Sequence, residues 1–337
     1  MGNISQNIDY QNTTPDQLIF LKSAENEQHM NKNTAIAYIR IWVEFAEYLD
    51  SVEVLSFDDL SKSHILHFLK KYKMKPFAYN QRRSAIFKIL NDIKDDYGVG
   101  IPKLESIKRQ VKSQTVKSTD RLFLSRKALK EIRETAACLY EDRIIRERNL
   151  LIYDLLQHTM MRVDEVALIQ LCDINLGSKR LGVRGKGSSS DTEGNRAVNA
   201  YLPLSPKLVE QLIDYVRCWR IKYKEDPCKP YLDHPLTLHR GIPLFTSRRG
   251  NALGVSSIKN IINEMIKRYY IEIGKPLPRN HGPHCIRRSV ATTIYNKKRD
   301  IILIQRMLRH ASHATTMKYI GVDEGEIEAA FLEDRDG

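Results

Sequence analysis

Residues 284–319 read HCIRRSVATTIYNKKRDIILIQRMLRHASHATTMKY. Two helices are expected in this stretch, over about 284–296 and 301–309. The first opens on His284 and carries Arg287 about one turn later. His310 follows the second, and Tyr319 stands nine residues further on, in Thr315-Thr316-Met317-Lys318-Tyr319. Cationic hydrogen-bond donors and a phenol in so short a span suit chemistry at a phosphate. Upstream, Arg162 lies in Thr159-Met160-Met161-Arg162-Val163-Asp164-Glu165, and Lys186 in Gly185-Lys186-Gly187. Glu165, one turn after Arg162, is placed to orient a neighbouring cation rather than to react.

Several other chemistries lack their residues. The sequence has no P-loop, no GxSxG elbow and no HExxH. The clustered carboxylates of a two-metal nuclease are also missing, with three acids between positions 251 and 300. His281, His284, His310 and His313 form two i,i+3 pairs, but no carboxylate ligand accompanies them. No metal and no other cofactor is therefore expected.

Charge points to the partner. Residues 121–319 carry 36 Lys and Arg against 19 Asp and Glu, a net +17, while residues 1–120 carry +2 and residues 320–337 carry −6. A cationic body of this size suits a polyanion, nucleic acid first. The five cysteines (Cys138, Cys172, Cys218, Cys228 and Cys285) are scattered with no CxxC pair. With a polar N-terminus and no apolar run long enough for a membrane helix, they suggest a reducing, cytoplasmic setting.

The rest of the chain reads as a mainly helical, multidomain protein. Helices are expected near 15–24, from Asn33-Thr34 onward with Tyr38, Trp42, Phe45 and Leu49 on one face, from Ser61 onward, and over 77–97. The run Gly98-Val99-Gly100-Ile101-Pro102 stops the last of these and closes a helical domain, 1–102. Residues 103–121, basic and poor in apolar side chains, read as an exposed interdomain linker. Lys103, Lys108, Arg109, Lys112 and Lys117 there are candidates for tracking a phosphate backbone. A second domain, 122–319, begins with a helix capped by Ser125, followed by one over 146–156. Short strands at 179–184 and 198–204 form a hairpin around Lys186, and helices near 206–222 and 256–271 precede the quoted stretch. Residues 320–337 form an acidic tail with Ile327, Ala330 and Phe331 on one face of a short helix. Such a helix needs a partner to be stable.

The order Arg162, Lys186, His284-x-x-Arg287, His310, Tyr319 resembles the tyrosine recombinase (phage integrase) family over about residues 121–325. More loosely, the helical N-terminal part resembles that family's SAM-like core-binding domain. The resemblance implies a mixed α/β catalytic domain with a small antiparallel sheet, acting on double-stranded DNA at specific recombination sites as a homotetramer, with accessory or directionality proteins. Tyr319 would be the nucleophile, forming a 3′-phosphotyrosine. Arg162 and Arg287 would each give two parallel hydrogen bonds to the phosphate. His284 would accept the phenol proton and His310 would donate to the phosphate. Lys186 would protonate the departing 5′-oxygen, with Arg196 or a shifted lysine as alternatives because the hairpin is long. The acidic tail would dock on a neighbouring protomer, the alternative being its own domain.

Two positions depart from the family pattern. Arg288 stands where His is usual, and Arg309 where Gly is usual. They favour a mobile-element integrase or transposase over a chromosome-dimer resolvase of the Xer type. A type IB topoisomerase or telomere-resolvase relative and a catalytically silent DNA-binding protein are the other readings. Tyr319 argues against the last, since a binding module has no use for it.

Overall fold

The computed structural model describes residues 13–30, 32–71, 74–99, 101, 104–114, 122–185, 198–220, 236, 240–310 and 312–320. The chain divides into two compact units, Met1–Thr119 and Asp120–Gly337.

The N-terminal unit contains α1 (Pro15–His29), α2 (Lys32–Ser51), α3 (Lys62–Lys70), α4 (Pro76–Tyr97) and α5 (Leu104–Gln110). The apolar face of α2 supplies Trp42, Phe45 and Leu49, all inaccessible to solvent. They pack with Leu18 and Ile19 of α1, Ile65 and Phe68 of α3, and Ile86, Ile89 and Leu90 of α4. The indole of Trp42 donates to the Ala85 carbonyl at 2.7 Å, so the one polar atom of this large side chain is satisfied inside the core. Ser61 caps α3, accepting from the His64 amide. Gly98 ends α4 at a φ of +63°, a left-handed turn that glycine makes at little cost.

The stretch expected to be a linker is in part structured. Helix α5 buries Leu104 and Ile107, and Val111 just beyond it is buried too. From α4, Arg83 donates to the carbonyls of Lys108 and Val111. Asn80 exchanges two hydrogen bonds with the backbone of Gln114. Three apolar residues at a spacing of 3 and 4 form this helix's inner face. The basic residues that dominate the composition lie between them and conceal it. Of the basic candidates, Lys108 is half-buried and 3.8 Å from Glu105, whereas Arg109 and Lys112 are exposed. Lys103 and Lys117 lie outside the described residues.

The second unit contains α6 (Arg126–Leu139), α7 (Arg143–Thr159), α8 (Val163–Ala167), β1 (Ile174–Asn175), β2 (Arg180–Arg184), β3 (Val198–Pro203), α9 (Pro206–Asp214), α10 (Val255–Glu272), α11 (Pro283–Lys298), α12 (Ile301–Leu308) and α13 (His313–Ile320). Helix α9 continues as a π-helical turn, Tyr215–Trp219. Helix α7 is central, with residues 148–156 buried on every face. Its Asp154 is held by Arg133 through a fork of bonds near 2.8 Å and by Gln211. The strands form an antiparallel sheet in the order β1-β2-β3, with Leu181 opposite Ile174 on one side and Leu202 on the other. The hairpin reading thus meets an antiparallel pair, to which β1 adds an edge too short to carry a pattern. A smaller apolar cluster of Met160, Ala291, Ile304, Leu308 and Ile320 joins the end of α7 to α11, α12 and α13.

Burial of α5 makes a checkable difference. Leu104→Ala and Ile107→Ala should each destabilise the N-terminal unit by about 2–5 kcal/mol, whereas Lys112→Ala should stay within about 0.5 kcal/mol. Urea unfolding followed by Trp42 fluorescence in a Trp219→Phe background reads this unit alone. Silent changes at 104 and 107 would return the segment to a linker.

Candidate active site

Arg287 organises the site. It lies in the second turn of α11 and is 2% exposed. Its guanidinium donates to the Met160 carbonyl at the end of α7 and to the Leu308 carbonyl, 2.5 Å away, at the end of α12. Met160 and Arg309 both adopt left-handed backbone, at φ of +50° and +54°, and there the chain reverses out of each helix. The approach to α11 is equally constrained. Gly282 has a φ of +134°, and a Cβ there would come within 2.9 Å of Asn263 Oδ1. Burial pushes the Arg287 guanidinium down to about 10, still cationic at neutral pH.

Arg162 precedes α8 and shares a capping arrangement with Glu165. Its backbone N–H donates to Glu165 Oε2 at 2.7 Å, and its Nη1 to Oε1 at 3.0 Å. The two ends of the pair differ in exposure, the Arg162 side chain at 38% and Glu165 at 5%. Arg309 reaches the same carboxylate, donating from Nη2 to Oε2 at 2.5 Å. Arg287 Nη1 stands 4.0 Å from that oxygen. One buried acid is therefore surrounded by three guanidiniums.

The phenol completes the cluster. Tyr319, on α13, directs its hydroxyl to the His284 carbonyl at 3.3 Å. Its ring meets the His310 imidazole edge-on, with centroids 5.3 Å apart. His310 Nδ1 lies 3.1 Å from the Thr316 hydroxyl, one turn before Tyr319. Burial raises the Tyr319 hydroxyl above its ordinary value, against the opposing pull of Arg287, Arg288 and Arg162. Loss of water, then Arg287 and Lys259, hold His284 below the usual histidine range. His310 is pushed down to about 4 by burial and by Arg287, Arg162 and Arg309. At neutral pH the site therefore holds a protonated phenol, two neutral imidazoles and an excess of fixed positive charge.

Arg162, Glu165, His284, Arg287, His310 and Tyr319, spread over 158 positions of the chain, are gathered here. Lys186 and the alternative Arg196 lie outside the described residues, as does the tail beyond Ile320. Arg309, Thr316 and Lys259 were not singled out as site residues in the sequence. Arg309 alone carried a signal, as an arginine where glycine is usual, but nothing linked it to Glu165, 144 positions away. The structure also ties Arg288 to the Leu122 carbonyl and Ser289 Oγ to the Leu124 amide, which docks the start of the unit against α11. Among the described residues no group of three or more His, Cys, Asp or Glu is arranged to hold a metal ion. No helix there is long and apolar enough to cross a membrane.

An α-helical unit with a small antiparallel sheet, carrying two arginines, two histidines and a tyrosine at one locus, defines a DNA strand-transfer class of enzyme. Residues 122–326 match the sequence model of the phage integrase family, and the chain belongs to that family, the tyrosine recombinases. A tyrosine recombinase XerC of Bacillus pumilus is 22% identical over 93% of this chain and 94% of its own length. Two solved structures share the fold. XerH site-specific recombinase bound to a palindromic difH substrate has a TM-score of 0.64 at 18% identity, covering 94% of this chain and 93% of that one. The Tn1549 transposon integrase in complex with transposon right end DNA has a TM-score of 0.68 at 13% identity, covering 96% and 100%. The departures at Arg288 and Arg309 thus occur in a chain whose similarity to XerC runs nearly end to end.

The depressed histidine has a defined signature. As pH falls through about 6.5 the unfolded chain takes up a proton at His310, whereas the folded chain does so only near 4. The stability that His310 contributes is complete above that upper value and is lost as pH falls toward the lower one. An NMR titration of the imidazole should give a midpoint near 4 in the folded protein. A midpoint at the ordinary value would show that the imidazole is neither desolvated nor faced by the three guanidiniums.

Proposed function

We propose that this protein is a site-specific recombinase that cuts and rejoins double-stranded DNA through a phosphotyrosine at Tyr319. The convergence of Arg162, Arg287, His284 and His310 on one tyrosine carries the reading. The Tyr319 oxygen attacks a backbone phosphorus and the bond to the 5′-oxygen breaks. A 3′-phosphotyrosine forms and a 5′-hydroxyl leaves with a proton. Rejoining reverses the step, a 5′-hydroxyl attacking the phosphorus and expelling the tyrosine, so the bond energy is conserved and no nucleotide is consumed.

Arg162 and Arg287 stabilise the negative charge that grows on the non-bridging oxygens, in a site already desolvated around Arg287. Neutral His284 accepts the phenol proton, since burial keeps Tyr319 from ionising unaided. His310 donates to the phosphate from Nε2, which requires the Thr316 hydroxyl to turn from the Ser312 carbonyl, 3.4 Å away, and donate to Nδ1. Lys186 serves the leaving group. Four copies act together on two paired duplexes, with the 320–337 tail docking on a neighbouring protomer.

The role assigned is integration, excision or transposition of a mobile element. Arg288 and Arg309 in place of the usual residues support it, and so does the fold shared with a transposon integrase. Resolution of chromosome dimers is the second reading, favoured by the similarity to XerC. Covalent capture separates them. The purified protein is incubated with sheared DNA of its own host, adducts are recovered under denaturing conditions, and the trapped ends are sequenced. Trapped sites at the ends of a mobile element support the first role, and a single chromosomal site supports the second.

On a nicked duplex of the recovered site, Tyr319→Phe should bind DNA normally and form no adduct. Adduct from that variant would show that another residue attacks, Tyr295 being the next candidate. Arg162→Lys and Arg287→Lys keep the charge but lose the planar fork, so each should slow adduct formation by about 10². Activity should survive EDTA, and binding should weaken with salt at a log–log slope of about −0.9 per neutralised phosphate.

A further inference from the structure

Arg309 occupies a position that suits it poorly. Its φ of +54° and ψ of +47° place a branched-path, Cβ-bearing residue in the left-handed region that glycine fills freely. Its Nε is buried and has no hydrogen-bond partner among the described residues. A strained backbone and an unsatisfied donor on one residue call for a compensating gain. The contact that supplies it is the 2.5 Å bond from Nη2 to Glu165 Oε2.

The geometry around Glu165 shows what this bond does. Oε1 is taken by Arg162, while Oε2 receives the Arg162 amide and Arg309, with Arg287 Nη1 waiting at 4.0 Å. With Arg309 in place the carboxylate side chain is 5% exposed. If Arg309 were absent, the nearest cation not already hydrogen-bonded to Glu165 would be Arg287. A shift of about 1 Å would pair it with Oε2, since a close ion pair forms near 2.8 Å.

We propose that Arg309 is a positioning residue of the phosphate site. It occupies Oε2 of Glu165 and so keeps Arg287 committed to the carbonyls of Met160 and Leu308, beside Tyr319 and within the proposed phosphate site. This role rests on the recombinase reading given above. It also explains how the chain tolerates arginine where a glycine would be easier to fold.

Arg309→Gly tests it without endangering the fold, because glycine relieves the backbone. Adduct formation on the nicked site should slow about tenfold or more, within the range of coupled neighbours, while DNA affinity stays unchanged. Arg309→Lys should recover part of the rate. In a Glu165→Gln background, which lacks the charge that draws Arg287, Arg309→Gly should add no further loss. A wild-type rate for Arg309→Gly overturns the proposal. So does an undiminished penalty in the Glu165→Gln background, which would make Arg309 a direct phosphate ligand. Should the parent protein itself form no adduct, the recombinase reading fails instead. The clamp is then read without DNA, from melting temperatures of the parent, the two single variants and the double variant. Non-additive shifts support the Glu165–Arg309 pair, and additive ones overturn it.

Discussion

A buried guanidinium bonded to two helix-terminal carbonyls is the constraint on which the second unit depends. Arg287 is 2% exposed, and taking its charge out of water is costly unless the hydrogen bonds are well placed. The ends of α7 and α12 supply those bonds, at Met160 and Leu308. Carbonyls at helix C-termini are unpaired within the helix and carry the negative end of its dipole, so each suits a cation. The same two bonds fix where α11 lies relative to the turn that begins α8. Arg162, Glu165 and His284 are then positioned as a consequence. A lysine could not span both carbonyls, because a single ammonium on a flexible stem lacks the planar fork.

The charge balance follows from this arrangement. Glu165 is the one acid among three guanidiniums, and it offsets part of their repulsion without cancelling it. Burial, and then this surplus, depress both histidines, and the surplus works against burial at Tyr319. An anion in the site would offset part of that positive charge without reversing it. The site thus carries surplus positive charge, and the phenol hydroxyl rests on the His284 carbonyl. Positive charge fixed by packing rather than gathered on demand is what lowers a barrier, since little reorganisation remains for the reaction step.

The two units solve different problems with different material. The N-terminal helices bury aromatic and aliphatic faces around Trp42 and carry little net charge. The second unit concentrates cations: the buried Arg148, Arg220 and Arg287 donate to backbone carbonyls, and the partly buried Arg133, Arg184 and Arg309 pair with Asp154, Asp173 and Glu165. Pairing of this kind adds little to stability, but it fixes which side chains face which.

Much of this was legible in the amino-acid order. Period-3.6 apolar faces and capping residues such as Ser61 and Ser125 marked most helices, because local hydrogen bonds and one-sided burial leave a local imprint. The succession of Arg162, His284, Arg287, His310 and Tyr319 marked the site, since few chemistries use that set. Helix α5 escaped, because three apolar residues among many basic ones are too few to outweigh composition. The partnership of Arg309 with Glu165 escaped for a deeper reason. A salt bridge across 144 positions depends on where two helix ends meet, and no short-range pattern encodes that meeting. The sequence alone determined the helical class, the basic character and the candidate site residues. Tertiary structure alone decided which cation holds which anion, because burial turns weak surface attractions into fixed pairs only after the chain has folded.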